Sequence, residues 1–439
     1  MKANISLPQS VTKGFKNLKK GSSYLRNLAA EEKNAALLNL AKRLKQSSTK
    51  ILAANAKDLA SFDKKNRTNE RAAFRDRLKL DKVRISSMAE SLIQVAKLPD
   101  PVNEIIEKRK LKNGLHLTKV RSPLGVLFMV FESRPNIVTE VFSLAFKSGN
   151  AIALRGGSEA KETIRCLYKL MRESLGECQI NPHVFLGIED YDRSLVEKLL
   201  ARKDWIDVVI PRGGDKLIEL VSQKATMPII KNDRGMCHAY VDDEANLDMA
   251  ASVVANAKTS RPGVCNSLET VLVHQTVADK FLPKLYKASQ KFAVEWRCDK
   301  SSQVILKNLK NVRLATPEDW HTEHLAQILN CKIVENMDEA ILHIETYGSR
   351  HSETIITGNK SKARQFQNQV DSAAVYWNAS TRFTDGFEFG LGGEIGISTQ
   401  KLHVRGPVGL RELTTPRWLI DGHGQIRGES RSDKKVSNQ

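Results

Sequence analysis

Residues 126–157 read VLFMVFESRPNIVTEVFSLAFKSGNAIALRGG, and their periodicity decides the fold. VLFMVF (126–131) is an unbroken apolar run with the length and branched or aromatic content of a strand buried on both faces. VTEVFSLAFKSG (138–149) follows with helical spacing and a terminating glycine, and AIALRGG (151–157) is a second short apolar run. Strand, helix and strand within about 30 residues make a βαβ unit, whose strands are parallel. SEAKETIRCLYKLMRESLG then reads as a long helix with Ser158 at its N-cap.

Outward from this unit the alternation persists. VFLGI (184–188), DVVIPRGG (207–214) and MPIIKN (227–232) read as further strands, with SLVEKLLARK and KLIELVSQKA as helices between them. The fold class is therefore α/β, with a parallel sheet covered on both faces. After the helix NLDMAASVVANAK, the run SLETVLVHQ (267–275) opens a second unit, and a cleft between two domains is expected there. RKLKNGLHLTKV (109–120) carries Asn-Gly between two alternating arms, a hairpin signal, and such an arm suits oligomerisation. Residues 428–439, GESRSDKKVSNQ, lack core residues and read as a disordered tail. The first 80 residues read as amphipathic helices, with Leu37, Leu38, Leu40, Leu44, Ile51 and Leu52 on apolar faces.

With 439 residues, the chain is long enough for two or three domains that fold without covalent staples. Its six cysteines, Cys166, Cys178, Cys237, Cys265, Cys298 and Cys331, never fall as CxxC, which argues for reduced thiols in a cytoplasmic protein. No cysteine completes a zinc set with His321 and His324, so no metal is expected. The chain has no apolar run of eighteen residues and no secretion-signal pattern at its start, so neither a membrane partner nor export is expected. The net charge of +19 is concentrated in residues 1–80, where 19 Lys/Arg face six Asp/Glu. Without aromatic interleaving or a recognition motif, solvated helix faces explain that charge better than nucleic acid. A positive field also suits phosphorylated ligands.

Two glycine loops stand at expected strand ends, where open α/β sheets bind ligands. LRGGSEA (154–160) offers Arg155, Gly156, Gly157 and Ser158, and PRGGDK (211–216) offers Pro211, Arg212, Gly213 and Gly214. Glycine admits close backbone approach, helix N-terminal amides favour anions, and an arginine pairs phosphate, so a dinucleotide is the expected ligand. GLGGEIG (390–396) has GxGxxxG spacing and follows no strand, so it is not the dinucleotide fingerprint. RPGVCNSLET (261–270) sets Cys265 behind a Pro-Gly turn, and composition alone leaves open whether this thiol is packed or exposed.

With these pieces placed, the chain resembles the gamma-glutamyl phosphate reductase family of the aldehyde dehydrogenase superfamily. The resemblance runs from about Ser122 to Arg427 through SPLGV, FESRPN, ALRGGSEA, IPRGGDKLI, GMCHAYVD, RPGVCNSLET, YGSRHSETIIT, NASTRFTDG and EFGLGGEIGISTQKLHVRGPVGL. It implies an aldehyde dehydrogenase-like fold with a Rossmann-like cofactor domain (1–106 and 121–250), a catalytic domain (251–402) and an oligomerisation arm (107–120 and 403–427). It further implies NADPH-dependent reduction of gamma-glutamyl phosphate to glutamate 5-semialdehyde, the second step from glutamate to proline. Cys265 falls on the nucleophile and Asn136 on the oxyanion-stabilising asparagine. Arg155, Gly156, Gly157, Ser158, Pro211, Arg212, Gly213, Gly214 and Glu323 fall on cofactor-binding positions. Asn378, Ser380, Thr381 and Arg382 fall on the loop facing the acyl substrate. His238 stays open between proton handling and a structural role. The segment DRGMCH offers no equivalent of the glutamate that activates water in hydrolytic relatives. A homo-oligomer is implied, and a transient contact with glutamate 5-kinase stays open. The competing readings are a general aldehyde dehydrogenase making acids or acyl-CoA, and a basic nucleic-acid-binding protein.

Overall fold

A computed structural model describes residues 7–65, 72–132, 134–231 and 234–427. The expected tail, 428–439, lies outside the described residues. The chain divides into two compact units, residues 1–229 with 409–439, and residues 230–408.

Among the described residues, the first unit opens with the helices α1 (Gln9–Leu25), α2 (Ala30–Gln46), α3 (Ser48–Lys65), α4 (Ala72–Leu78) and α5 (Lys82–Lys97). In α2, Leu37, Leu40, Ala41 and Leu44 are buried, but Leu38 is exposed, contrary to the sequence expectation. The reason is geometric: 37, 40, 41 and 44 share one helix stripe, and position 38 is rotated about 100° from its neighbour. Phe15 of α1 stacks on Trp205 at 5.7 Å and meets Phe128 edge-on, joining the N-terminal helices to the sheet core.

The strands β1 (Ile105–Lys110) and β2 (His116–Pro123) form the expected hairpin, closed by a turn with Gly114 at φ +90°. Then come β3 (Val126–Phe131), α6 (Ile137–Lys147), β4 (Ala151–Arg155), α7 (Lys161–Glu177), β5 (Phe185–Gly187), α8 (Arg193–Leu200), β6 (Val208–Arg212) and α9 (Asp215–Lys224). The four strands form one parallel sheet in the order β5-β4-β3-β6. Every residue of β3 is buried, as its uninterrupted apolar run requires. Among the described residues of MPIIKN there is no ladder strand: Val209 and Ile229 form a single bridge, with the Val209 amide donating to the Pro228 carbonyl. Pro228 has no amide hydrogen to continue a ladder.

In the second unit, β7 (Cys237–Val241) and α10 (Leu247–Thr259) precede β8 (Leu268–His274), α11 (Gln275–Ser289), β9 (Glu295–Cys298), α12 (Lys300–Leu306), β10 (Val312–Leu314) and β11 (Ile328–Val334). There follow α13 (Met337–Tyr347), β12 (Ser352–Ile356), α14 (Lys360–Gln369), β13 (Ala374–Trp377) and the short pair β14 (Ile397–Ser398) and β15 (Gly406–Pro407). A seven-stranded parallel sheet runs β10-β9-β11-β8-β7-β12-β13. Residues 230–250, expected in the first domain, fall in the second unit because β7 pairs with both β8 and β12.

The chain then returns to the first unit as β16 (Thr414–Asp421), antiparallel to β2. Asn150 anchors this return by donating to the Leu413 carbonyl at 2.9 Å, and Arg411 pairs with Glu104 at 2.9 Å. The resulting sheet, β1-β2-β16, leaves Ile105, Ile106, Leu111, Trp418, Leu419 and Ile420 exposed. No helix among the described residues is long and apolar enough to cross a membrane.

Candidate active site

The two glycine loops meet at one sheet edge. Val130 of β3 is flanked by Arg155 of β4 and Pro211 of β6, so both loops leave the carboxyl ends of adjacent strands. This is where an open parallel sheet binds ligands. At Gly156 a Cβ would lie 2.3 Å from the Ile164 side chain and 2.9 Å from the Phe131 ring, so a larger residue would have to displace them. Arg155 is buried, and its terminal nitrogen donates to the Tyr191 carbonyl at 2.6 Å. Its Nε is buried with no acceptor among the described residues, a donor that an anion would satisfy. Burial holds the Arg155 guanidinium below its ordinary pKa range.

The helix N-termini at this edge differ from expectation. Ser158 does not cap α7: it opens a short 3₁₀ turn, Ser158–Ala160, and α7 begins at Lys161. The cap comes from α3, where Asp58 accepts from the Glu162 and Thr163 amides at 3.1 and 2.8 Å. At α9, the Gly214 amide donates to Glu132 at 2.9 Å. Protein carboxylates therefore occupy both helix ends, and the anion donors left by this arrangement centre on Arg155 and the glycine loop between β4 and α7.

The candidate nucleophile stands in the second unit. Cys265 is half-buried on the loop between α10 and β8, and this loop is clamped on several sides. Asn266 donates to the Thr384 carbonyl at 2.8 Å, and its own carbonyl accepts from Thr381 Oγ1 at 2.8 Å. Arg382 Nε donates to Ser260 Oγ at 3.2 Å, so Arg382 braces the start of the loop while its backbone carbonyl accepts from Asn266. Burial holds the Arg382 guanidinium below its ordinary range, and the charge of Arg261 adds to this, against the pull of Asp385 and Cys265. Of the expected substrate residues, Thr381 is committed to Asn266, and Asn378 spends both ends of its amide on Thr357. Buried Ser380 accepts from the Arg382 amide, which leaves the Arg382 guanidinium as the group suited to an anionic substrate.

Two neighbours of Cys265, Gly235 and Cys237, were not legible as site residues. A Cβ at Gly235 would lie 1.6 Å from the Cys265 carbonyl oxygen, so only glycine admits this backbone contact. The Gly235 amide donates to Glu323 Oε1 at 2.8 Å, placing Glu323 beside the nucleophile loop. Cys237 Sγ donates to the Cys265 carbonyl at 3.2 Å, and burial pushes this thiol well above its ordinary pKa, keeping it a donor. The spacing G-x-C in RGMCH was the available signal, but glycine contact partners are invisible in one dimension. His238 is fully buried, with Nδ1 3.2 Å from Glu353 and its ring 5.5 Å from His343, so it is enclosed in the sheet. Asn136 opens α6 in the first unit and makes no side-chain cap bond, and Asp233 of DRGMCH lies outside the described residues.

The aldehyde dehydrogenase family model matches residues 8–313. The chain is 46% identical over 424 residues to the gamma-glutamyl phosphate reductase of Clostridium tetani, covering 95% of this chain and 98% of that one. It is 48% identical over 419 residues to the enzyme of the same name from Francisella philomiragia, covering 95% and 100%. The chain belongs to the gamma-glutamyl phosphate reductases of the aldehyde dehydrogenase family. The crystal structure of the Thermotoga maritima gamma-glutamyl phosphate reductase superposes with a TM-score of 0.90 at 42% identity, covering 95% of this chain and 99% of that one. The family uses a nicotinamide cofactor, for which the Arg155 edge supplies a matching anion site.

Gly235→Ala tests the close approach at Cys265. The added methyl displaces the Cys265 backbone, and iodoacetamide alkylation of Cys265 is expected to slow at least about tenfold, in line with the cost of misplacing a reacting group.

Proposed function

We infer that the chain reduces gamma-glutamyl phosphate to glutamate 5-semialdehyde and phosphate, with NADPH as reductant and a thioester on Cys265. Membership of the reductase family over nearly the whole chain carries this reading, and the half-buried Cys265 on a clamped loop supports it.

The Cys265 thiolate attacks the acyl carbon, forming a C–S bond while the C–O bond to phosphate breaks. Thiolate suits this step because it is strongly nucleophilic once ionised. When bound, NADPH supplies the hydride that reduces the thioester carbonyl. Collapse of the thiohemiacetal re-forms the thiolate and releases the aldehyde. The oxyanion in each step is assigned to the Cys265 backbone amide, a contribution of about 3–4 kcal/mol for a well-placed donor, and family membership suggests the same role for Asn136.

Arg155 and the glycine loop Gly156–Ser158 are assigned to the cofactor phosphates, with the unsatisfied Arg155 Nε favouring the extra phosphate of NADPH. Pro211, Arg212, Gly213 and Gly214 border the same edge, and Glu323 is assigned to the nicotinamide ribose. The exposed apolar residues of the β1-β2-β16 sheet support a second copy of this chain as their cover, since large apolar residues exposed together in one sheet mark an interaction surface.

Cys265→Ser is expected to lower NADPH oxidation with gamma-glutamyl phosphate by about three orders of magnitude or more. In the reverse direction, oxidation of glutamate semialdehyde with NADP should require phosphate; phosphate-independent turnover would overturn the substrate assignment. Repeating that assay with NAD reads cofactor preference, which Arg155→Gln should narrow. For the arm, Ile420→Lys should reduce the mass seen by light scattering, and an unchanged mass would remove the sheet from the interface.

A further inference from the structure

Seven residues before Cys265 and four after it stand two charges that the reaction does not use. Lys258, in the last turn of α10, and Glu269, in β8, are both fully buried and pair at 3.0 Å. Taking two such ions out of water costs more than an apolar pair of the same volume, so stability alone does not account for them. Their contacts point to the nucleophile loop. Glu269 uses its second oxygen to accept from the Leu325 amide at 3.4 Å. Leu325 is held at φ +51°, a strained conformation for a branched side chain, two residues beyond Glu323. Glu323 in turn accepts from Gly235, whose α-carbon packs on the Cys265 carbonyl. On the other side, Ser267 Oγ donates to the Lys258 carbonyl at 3.4 Å, tying the two ends of the loop together.

We propose that Lys258 and Glu269 are a positioning pair: Lys258 orients the Glu269 carboxylate, which holds the Leu325 turn, so that Glu323 and Gly235 keep the Cys265 backbone in its reactive place. Both oxygens of Glu269 are needed, one for the ammonium and one for the amide. Burial pushes the Glu269 carboxyl up to about 7 and the Lys258 ammonium down, so each depends on the other to stay charged.

The proposal rests on Cys265 as the nucleophile, and two variants of the full-length chain test it. Glu269→Gln keeps the shape but offers one oxygen in place of two, so either Lys258 or Leu325 loses its acceptor. Alkylation at Cys265, followed by peptide mass mapping, should slow about tenfold or more, and kcat should fall with it while KM for the acyl phosphate changes little. Lys258→Met with Glu269→Leu replaces the pair by apolar groups and should keep Tm within a few degrees of the parent, yet show the same loss of alkylation rate and kcat. If the double variant does not fold, Glu269→Gln decides alone. A Glu269→Gln enzyme with parental kcat and alkylation rate, whatever its Tm, would overturn the inference. Turnover surviving in Cys265→Ala would instead sink the underlying assignment of the nucleophile, a separate result.

Discussion

The Cys265 carbonyl oxygen occupies the space that any side chain at position 235 would fill, and the local order of the second unit follows from this contact. Two backbones from different elements can touch so closely only where one lacks a Cβ. The contact brings the start of β7 against the loop before β8, adjacent strands of one parallel sheet. It also puts the Cys237 thiol within hydrogen-bond reach of the same carbonyl, and the Gly235 amide within reach of Glu323. Cys265 is thus held by its main chain.

Anion sites in the first unit follow a different constraint. Helix N-termini attract negative charge, and this chain meets that demand at α7 and α9 with its own Asp58 and Glu132. Asp58 is itself costly to bury, and its carboxyl is raised above the ordinary range by burial, against the pull of the Thr163 and Glu162 donors. Its cap ties α3 to α7, which gives the N-terminal helices a structural role beside the glycine loop between β4 and α7. The surplus of lysine and arginine in residues 1–80 coexists with this role: Lys33 is buried against Asp100 at 2.8 Å, while many of its neighbours face solvent.

Much of the architecture was legible from residue order. VLFMVF is β3 to the residue, and the AIALRGG, VFLGI and DVVIPRGG runs each contain a parallel strand, because continuous apolar runs of that length have few other stable fates. MPIIKN failed because a proline interrupts its ladder, and Leu38 failed because an apolar residue one step off a helix stripe looks like its neighbours in a list of leucines. Ser158 has the right type for a cap, but the donors it was expected to satisfy are met by Asp58, a residue 100 positions away. Propensity describes what a residue can do locally and says nothing about a stronger competitor arriving from another helix.

For the site, sequence alone determined the thiol, the glycine loops and the family, since these depend on residue type at fixed spacing along one chain. Tertiary structure decided how those residues are used. It committed Asn378 and Thr381 to backbone clamps, braced Arg382 against Ser260, and enclosed His238 with Glu353 inside the sheet. It also joined Gly235, Glu323, Lys258 and Glu269 around Cys265, although they span nearly 90 positions in sequence. The physical reason is that hydrogen bonds and steric exclusion act over a few ångströms of space, and only the folded chain determines which distant residues share that space.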